Sequence, residues 1–182
     1  MFRGLAFSDT APERLNGGML EKPWNEAVET VIVGGGCQCL LVTNFVVAEA
    51  KGYLRLPASK ESIVPGMANM RLPRFVGGRI ARQAIQNDRR IECDSPEGRI
   101  ICDLVVPREE FDDALEEVAG KLPNSGVVSA ASNRRAFRVA QEPLDNFRQY
   151  LAVYATEQAY CQFSPALISN LEQFWDAKNP RA

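Results

Sequence analysis

The sequence predicts an α/β fold built from strand-turn-helix units and closed by a helical C-terminal region. Three observations carry that prediction. Short apolar runs rich in β-branched residues, at 27–33, 45–48, 52–56 and 100–106, alternate with stretches of helical period. Three consecutive glycines, Gly34, Gly35 and Gly36, join the first run to a helix start. After Pro123 the pattern is helical throughout, over 127–141, 144–162 and 165–178.

Taken in order, residues 1–20 are polar, lack a sustained period, and read as a lead-in that is partly disordered. Residues 21–122 form a core and 123–182 a C-terminal helical region. The strand at 27–33 feeds the glycine turn, and a first helix over 35–42 places Leu40 and Leu41 toward the core. Strands at 45–48 and 52–56 follow. Residues 60–74 form a loop punctuated by Pro65, Gly66 and Pro73, and 78–87 form a helix with Ile80, Ala81, Ala84 and Ile85 on one face. The strand at 100–106 precedes a helix over 107–122, on which Phe111, Leu115, Val118 and Leu122 share a side. Ser164 and Pro165 supply the cap and first turn of the last helix. Its Leu167, Ile168, Leu171 and Trp175, with Phe147, Leu151 and Tyr154 on the helix before, read as core packing. No internal repeat is visible.

Composition narrows the function. With 21 basic and 23 acidic side chains the net charge is -2, which argues against nucleic acid or an anionic membrane as the main partner. No apolar run has the length to span a bilayer, so a cytoplasmic protein is expected. Five cysteines without framework spacing read as reduced thiols. The chain has no histidine, which removes His-based general bases, Ser-His-Asp triads and the usual zinc and non-haem iron ligand sets. No metal site is expected.

The glycine turn admits two readings, a packing turn or half of an oxyanion hole. The first-turn amides of a helix have no internal partner and can hold negative charge developing on a ligand oxygen, and Gly35 is placed for that role. Ala58 and Ile63 read from composition as ordinary core filling. Six arginines between positions 71 and 90 read as a solvated, ion-paired face, with one or two free to meet phosphates.

The passages EKPW, GGGCQ, RLPASKESIVPG and RLPRFVGGRIARQ resemble the crotonase (enoyl-CoA hydratase/isomerase) superfamily. Within it, DRRIECDSPEGRIICD, EQAYC, and FSPALI with NLEQFW resemble the cofactor-independent dioxygenases that act on (3,5-dihydroxyphenyl)acetyl-CoA. The resemblance implies a crotonase-like spiral, incomplete on its N-terminal side, with the chain matching the C-terminal part of such an enzyme. It implies an acyl-CoA substrate, with Gly35 donating one amide to the thioester oxygen, and a homotrimer or hexamer built through the C-terminal helices. Crotonase hydratases use two glutamates, at the positions of Gln38 and Ala58, so hydration by that route is disfavoured here. The dioxygenase resemblance instead makes Gln38 a hydrogen-bond partner of the substrate and places Ala58 and Ile63 in an apolar O2 pocket. No cofactor is implied, since the substrate carries coenzyme A and O2 is co-substrate. Ser59 and Ser62 depart from the basic residue and glycine expected there. The alternatives are thioester hydrolysis or isomerisation, or a non-catalytic acyl-CoA-binding or assembly subunit.

Overall fold

The chain steps repeatedly between two sheets, and that step places the glycine turn. The computed structural model describes residues 24–121 and 127–178, so the lead-in at 1–20 and the junction at 122–126 lie outside the described residues. One sheet holds β1 (Asn25–Val28), β3 (Phe45–Glu49) and β6 (Leu104–Val106) in that order, all parallel. The other holds β2 (Val31–Val33), β4 (Tyr53–Arg55) and β5 (Ile91–Glu92), with β2 parallel and β5 antiparallel to β4.

The expected single strand at 27–33 is therefore two strands, β1 and β2, belonging to different sheets. Val28 pairs with Ala48 in the first, Val31 with Tyr53 in the second, and the Thr30 carbonyl accepts the Tyr53 amide at 3.0 Å. The break falls at Glu29 and Thr30, the two polar residues of that span, where the chain leaves one sheet for the other. The next passage repeats the move, with β3 stacking on β1 and β4 on β2. A repeat thus exists in the backbone although none shows in the side chains, because ladder hydrogen bonds come from the main chain.

Further boundaries differ from expectation. Residues 98–101 form a helical turn, α3 (Gly98–Ile101), before β6, where a strand over 100–106 was expected. A side chain at Gly98 would collide with the Glu92 and Cys93 carbonyls, so this turn packs backbone to backbone. The α1 helix (Gly35–Leu40) is short, and α2 (Ala68–Gln86) begins inside the expected 60–74 loop. It contains Pro73 and breaks at Gly77, whose φ of 76° suits glycine alone.

Alternation along β3 divides the core. Val46 and Ala48 join a cluster with Leu40, Leu54, Leu72 and Ala84, while Val47 faces Phe111 and Val118 of α4 (Arg108–Lys121). The remaining helices are α5 (Val127–Gln141), α6 (Leu144–Gln162) and α7 (Pro165–Lys178). The Ser164 hydroxyl caps α7 by accepting the Leu167 amide at 3.2 Å, as expected. Phe147 is buried, but the α7 stripe is not core: Ile168, Leu171 and Trp175 are 48%, 58% and 68% exposed. An amphipathic pattern states that a face is apolar, not that its own chain covers it.

Candidate active site

Each glycine of the turn answers a different constraint. Gly34 adopts φ 57°, and its amide donates to the Arg55 carbonyl at 2.9 Å, tying the turn to β4. Gly36 packs against Ile32 so closely that a Cβ would lie 2.6 Å from Ile32 Cγ1. Gly35 opens α1 facing free space, with nothing within 4 Å of a Cβ built there. Among the described residues its amide meets no backbone acceptor. The thiol of Cys37 donates to the Ile32 and Arg55 carbonyls at 3.0 and 3.2 Å, and burial pushes it up to about 12, so it braces the turn as a neutral thiol. Behind it, burial raises the Glu26 carboxyl to about 7.

Gln38 lies three residues after Gly35 and so on the same side of α1. Its Oε1 accepts the Met67 amide at 3.0 Å, and this N–H donor fixes which end of the carboxamide is oxygen. The 57–67 loop thus passes the glycine turn. Ala58 and Ile63 sit on that loop, joined by a hydrogen bond from the Ile63 amide to the Ala58 carbonyl at 3.0 Å. Ala58 is 3% exposed within the main apolar cluster, and Ile63 is half-buried against it. The structure therefore gathers Gly35 and Gln38 on one helix face, with the loop bearing Ala58 and Ile63 bound to that helix at Met67.

Three side chains that sequence reasoning missed hold the loop from outside. Gln158 of α6 accepts the Val64 amide at 2.8 Å, and the Tyr150 hydroxyl, also on α6, donates to the Gly66 carbonyl. Asn170 of α7 donates to the Lys60 carbonyl at 3.0 Å. These bonds span roughly a hundred positions and join side chains to main chain, so no local motif announces them.

The arginines divide differently from expectation. Arg71 is not on a solvated face: it is buried and forms a two-pronged pair with Glu142, Nε to Oε1 at 2.7 Å and Nη2 to Oε2 at 3.0 Å, with Arg74 adding a third bond at 3.0 Å. Arg55 and Lys60 both pair with Asp88, whose carboxyl they hold well below the usual range. A cavity of about 310 Å³ lies between Asn44, Phe75, Arg134 and Arg138, away from the glycine turn. Among the described residues no group of three or more His, Cys, Asp or Glu side chains is placed to hold a metal. No described helix is long and apolar enough to cross a membrane.

The profile of the enoyl-CoA hydratase/isomerase family matches residues 19–163. The chain belongs to that family. Among enoyl-CoA hydratase/isomerase relatives, it is 44% identical over 156 residues to the (3,5-dihydroxyphenyl)acetyl-CoA 1,2-dioxygenase of Amycolatopsis orientalis, covering 86% of this chain and 35% of that protein. It is 28% identical over 134 residues to the carnitinyl-CoA dehydratase of Salmonella agona (strain SL483), covering 72% of this chain and 51% of that one. The chain thus spans between about a third and about half of these relatives. The fold matches a crystal structure of an enoyl-CoA hydratase/isomerase from Pseudoalteromonas atlantica T6c with a TM-score of 0.74 at 18% identity, over 88% of this chain and 64% of that one. An enoyl-CoA hydratase from Mycobacterium avium subsp. paratuberculosis K-10 gives 0.73 at 21%, over 88% and 65%. These likenesses bear out the expected crotonase fold.

Proposed function

We propose that this chain carries part of an arylacetyl-CoA dioxygenase site, acting without a cofactor on (3,5-dihydroxyphenyl)acetyl-CoA. The observation that carries the reading is the chemistry of Gln38 and Ala58. Where hydratases of this fold place two carboxylates, this chain places a carboxamide held by the Met67 amide and a methyl group buried in the core. Neither group adds water across a double bond by proton exchange. Both suit a substrate that supplies its own reducing power.

In this reading the Gly35 amide donates to the thioester oxygen and stabilises the enolate formed when the α-carbon loses a proton. The electron-rich enolate reduces O2 at that carbon, beside Ala58 and Ile63. Collapse of the resulting peroxide onto the thioester carbon expels the thiolate of coenzyme A, and the O–O bond then breaks as the second α-hydrogen leaves as a proton and its C–H electrons form the α-keto C=O. One oxygen atom ends in the α-keto group and one in the carboxylate, so the acyl-CoA and O2 yield an aryl glyoxylate and free coenzyme A. Gln38 donates through Nε2 to substrate or intermediate. A second oxyanion donor would come from a segment outside the described residues or from another polypeptide. Exposed Tyr160, Phe163, Leu171 and Trp175 support assembly of copies through α6 and α7.

The test incubates the full chain with (3,5-dihydroxyphenyl)acetyl-CoA in metal-free buffer, following O2 with an electrode and coenzyme A by chromatography. Uptake and release in equal amounts, with both atoms of 18O2 in the glyoxylate, are expected. Release of coenzyme A without O2 uptake would select a hydrolase instead.

A further inference from the structure

We infer that Tyr150, acting through Gly66, is a positioning residue for the Gln38 carboxamide. Gln38 has one end committed, since Oε1 accepts the Met67 amide at 3.0 Å, and Nε2 is the end left to donate. Gly66 forms the wall against this group. Its φ is +49°, and a Cβ built on it would overlap Oε1 while lying 3.2 Å from Cδ and 3.3 Å from Nε2. The backbone of residue 66 therefore touches the carboxamide along one side, so any shift of that peptide moves the direction in which Nε2 points.

What fixes the peptide comes from α6, 84 residues away in sequence. The Tyr150 hydroxyl donates to the Gly66 carbonyl, and Gln158, on the same side of α6 two turns later, accepts the Val64 amide at 2.8 Å. Both ends of the Val64–Pro65–Gly66 segment are thus held by one helix. The phenol is itself restrained: its ring lies parallel to that of Tyr154, with 6.5 Å between centroids and 6° between planes. Burial raises the Tyr150 pKa, which keeps the hydroxyl a donor at neutral pH. A tyrosine outside the glycine turn and its loop thereby sets the aim of a group inside the site.

This inference rests on the ligand-facing role proposed for Gln38, and two arms keep the failures apart. In the first, the Gln38 side-chain amide cross-peak of the 15N-labelled full chain is assigned by its loss in Gln38→Ala. Its displacement in Tyr150→Phe, in a chain that still unfolds cooperatively on heating, is expected, and an unmoved cross-peak overturns the inference whether or not the protein turns over. Gly66→Ala presses the same carboxamide from the backbone side and serves if Tyr150→Phe does not fold. The second arm measures turnover of (3,5-dihydroxyphenyl)acetyl-CoA. Loss of one neutral hydrogen bond predicts a kcat lower by roughly twofold to tenfold with KM unchanged. That loss is expected to vanish in a Gln38→Ala background. An equal loss in that background overturns the positioning role. Absence of any turnover by the unaltered chain removes the proposed function, while the cross-peak still decides the inference.

Discussion

Replacing Glu142 by glutamine should strip the fold of the most deeply set ion pair among the described residues. Glu142 and Arg71 are 8% and 4% exposed at the side chain, and their bonds are 2.7 and 3.0 Å long, with Arg74 on the same oxygen at 3.0 Å. At an effective dielectric of about 20, two unit charges about 4 Å apart attract by roughly 4 kcal/mol. Removing one partner of a buried pair costs about 3–5 kcal/mol, because the other is left charged without compensation. Glutamine can keep its oxygen on Arg71 Nε and Arg74 Nη1 but then turns an N–H2 toward Arg71 Nη2 and brings no negative charge, so a loss of about 3 kcal/mol is expected. With a urea dependence of about 2 kcal/mol per molar, the midpoint should fall by about 1.5 M in equilibrium unfolding followed by circular dichroism. The pH dependence has a definite sign. Desolvation works against ionisation of Glu142, but hydrogen bonds from Arg71 and the charges of Arg71 and Arg74 outweigh it, and the carboxyl lies below its ordinary value of 4.5. Its contribution is complete above that value and fades as pH falls through the lower folded value, so the two proteins should converge in acid. A midpoint shift under about 0.3 M at pH 7, with m near that assumed value, would refute the assignment of this pair as a main tie between α2 and the α5–α6 junction.

Three other outcomes follow from the same geometry. Glu26, raised to about 7 by burial, favours its protonated form in the fold, so stability should decline as pH rises from 4.5 through about 7; Glu26→Gln should flatten that slope in thermal unfolding, and equal slopes would count against it. Proline is tolerated at the first position of a helix, so Gly35→Pro should remove one amide hydrogen with little loss of fold. If that amide meets the thioester oxygen, kcat should drop by about a hundredfold to a thousandfold, whereas unchanged turnover would point away from it. Trp175, 68% exposed, should matter to assembly, so Trp175→Glu should lower the mass measured by light scattering while leaving the circular dichroism spectrum intact.

Much of the fold could be read from residue pattern. Ala81, Ala84 and Ile85 face inward as their helical spacing indicates, and Ser164 caps the last helix. Several of the failures concern partners far away in sequence. The run from Ala27 to Val33 divides at Glu29 and Thr30 because its two halves meet different strands, and two polar residues inside a strand are too common to announce a change of sheet. Arg71 reads as one surface cation among six until Glu142, 71 positions on, is brought against it. Gly35 and Gln38 share a side of α1 because they lie three residues apart on one helix, a local relation that spacing alone gives. Tyr150, Gln158 and Asn170 were not legible, since a side chain that binds a distant carbonyl or amide leaves no periodic trace.

The paired sheets carry an evolutionary consequence. Successive coils of this spiral are fastened by peptide groups at Asn25–Val28 against Phe45–Ala48 and Val31–Val33 against Tyr53–Arg55, and peptide groups are the same in every protein. Mutation can exchange most strand side chains, provided the spacing from one layer to the next is preserved. An architecture can then persist at 18% identity and a TM-score of 0.74.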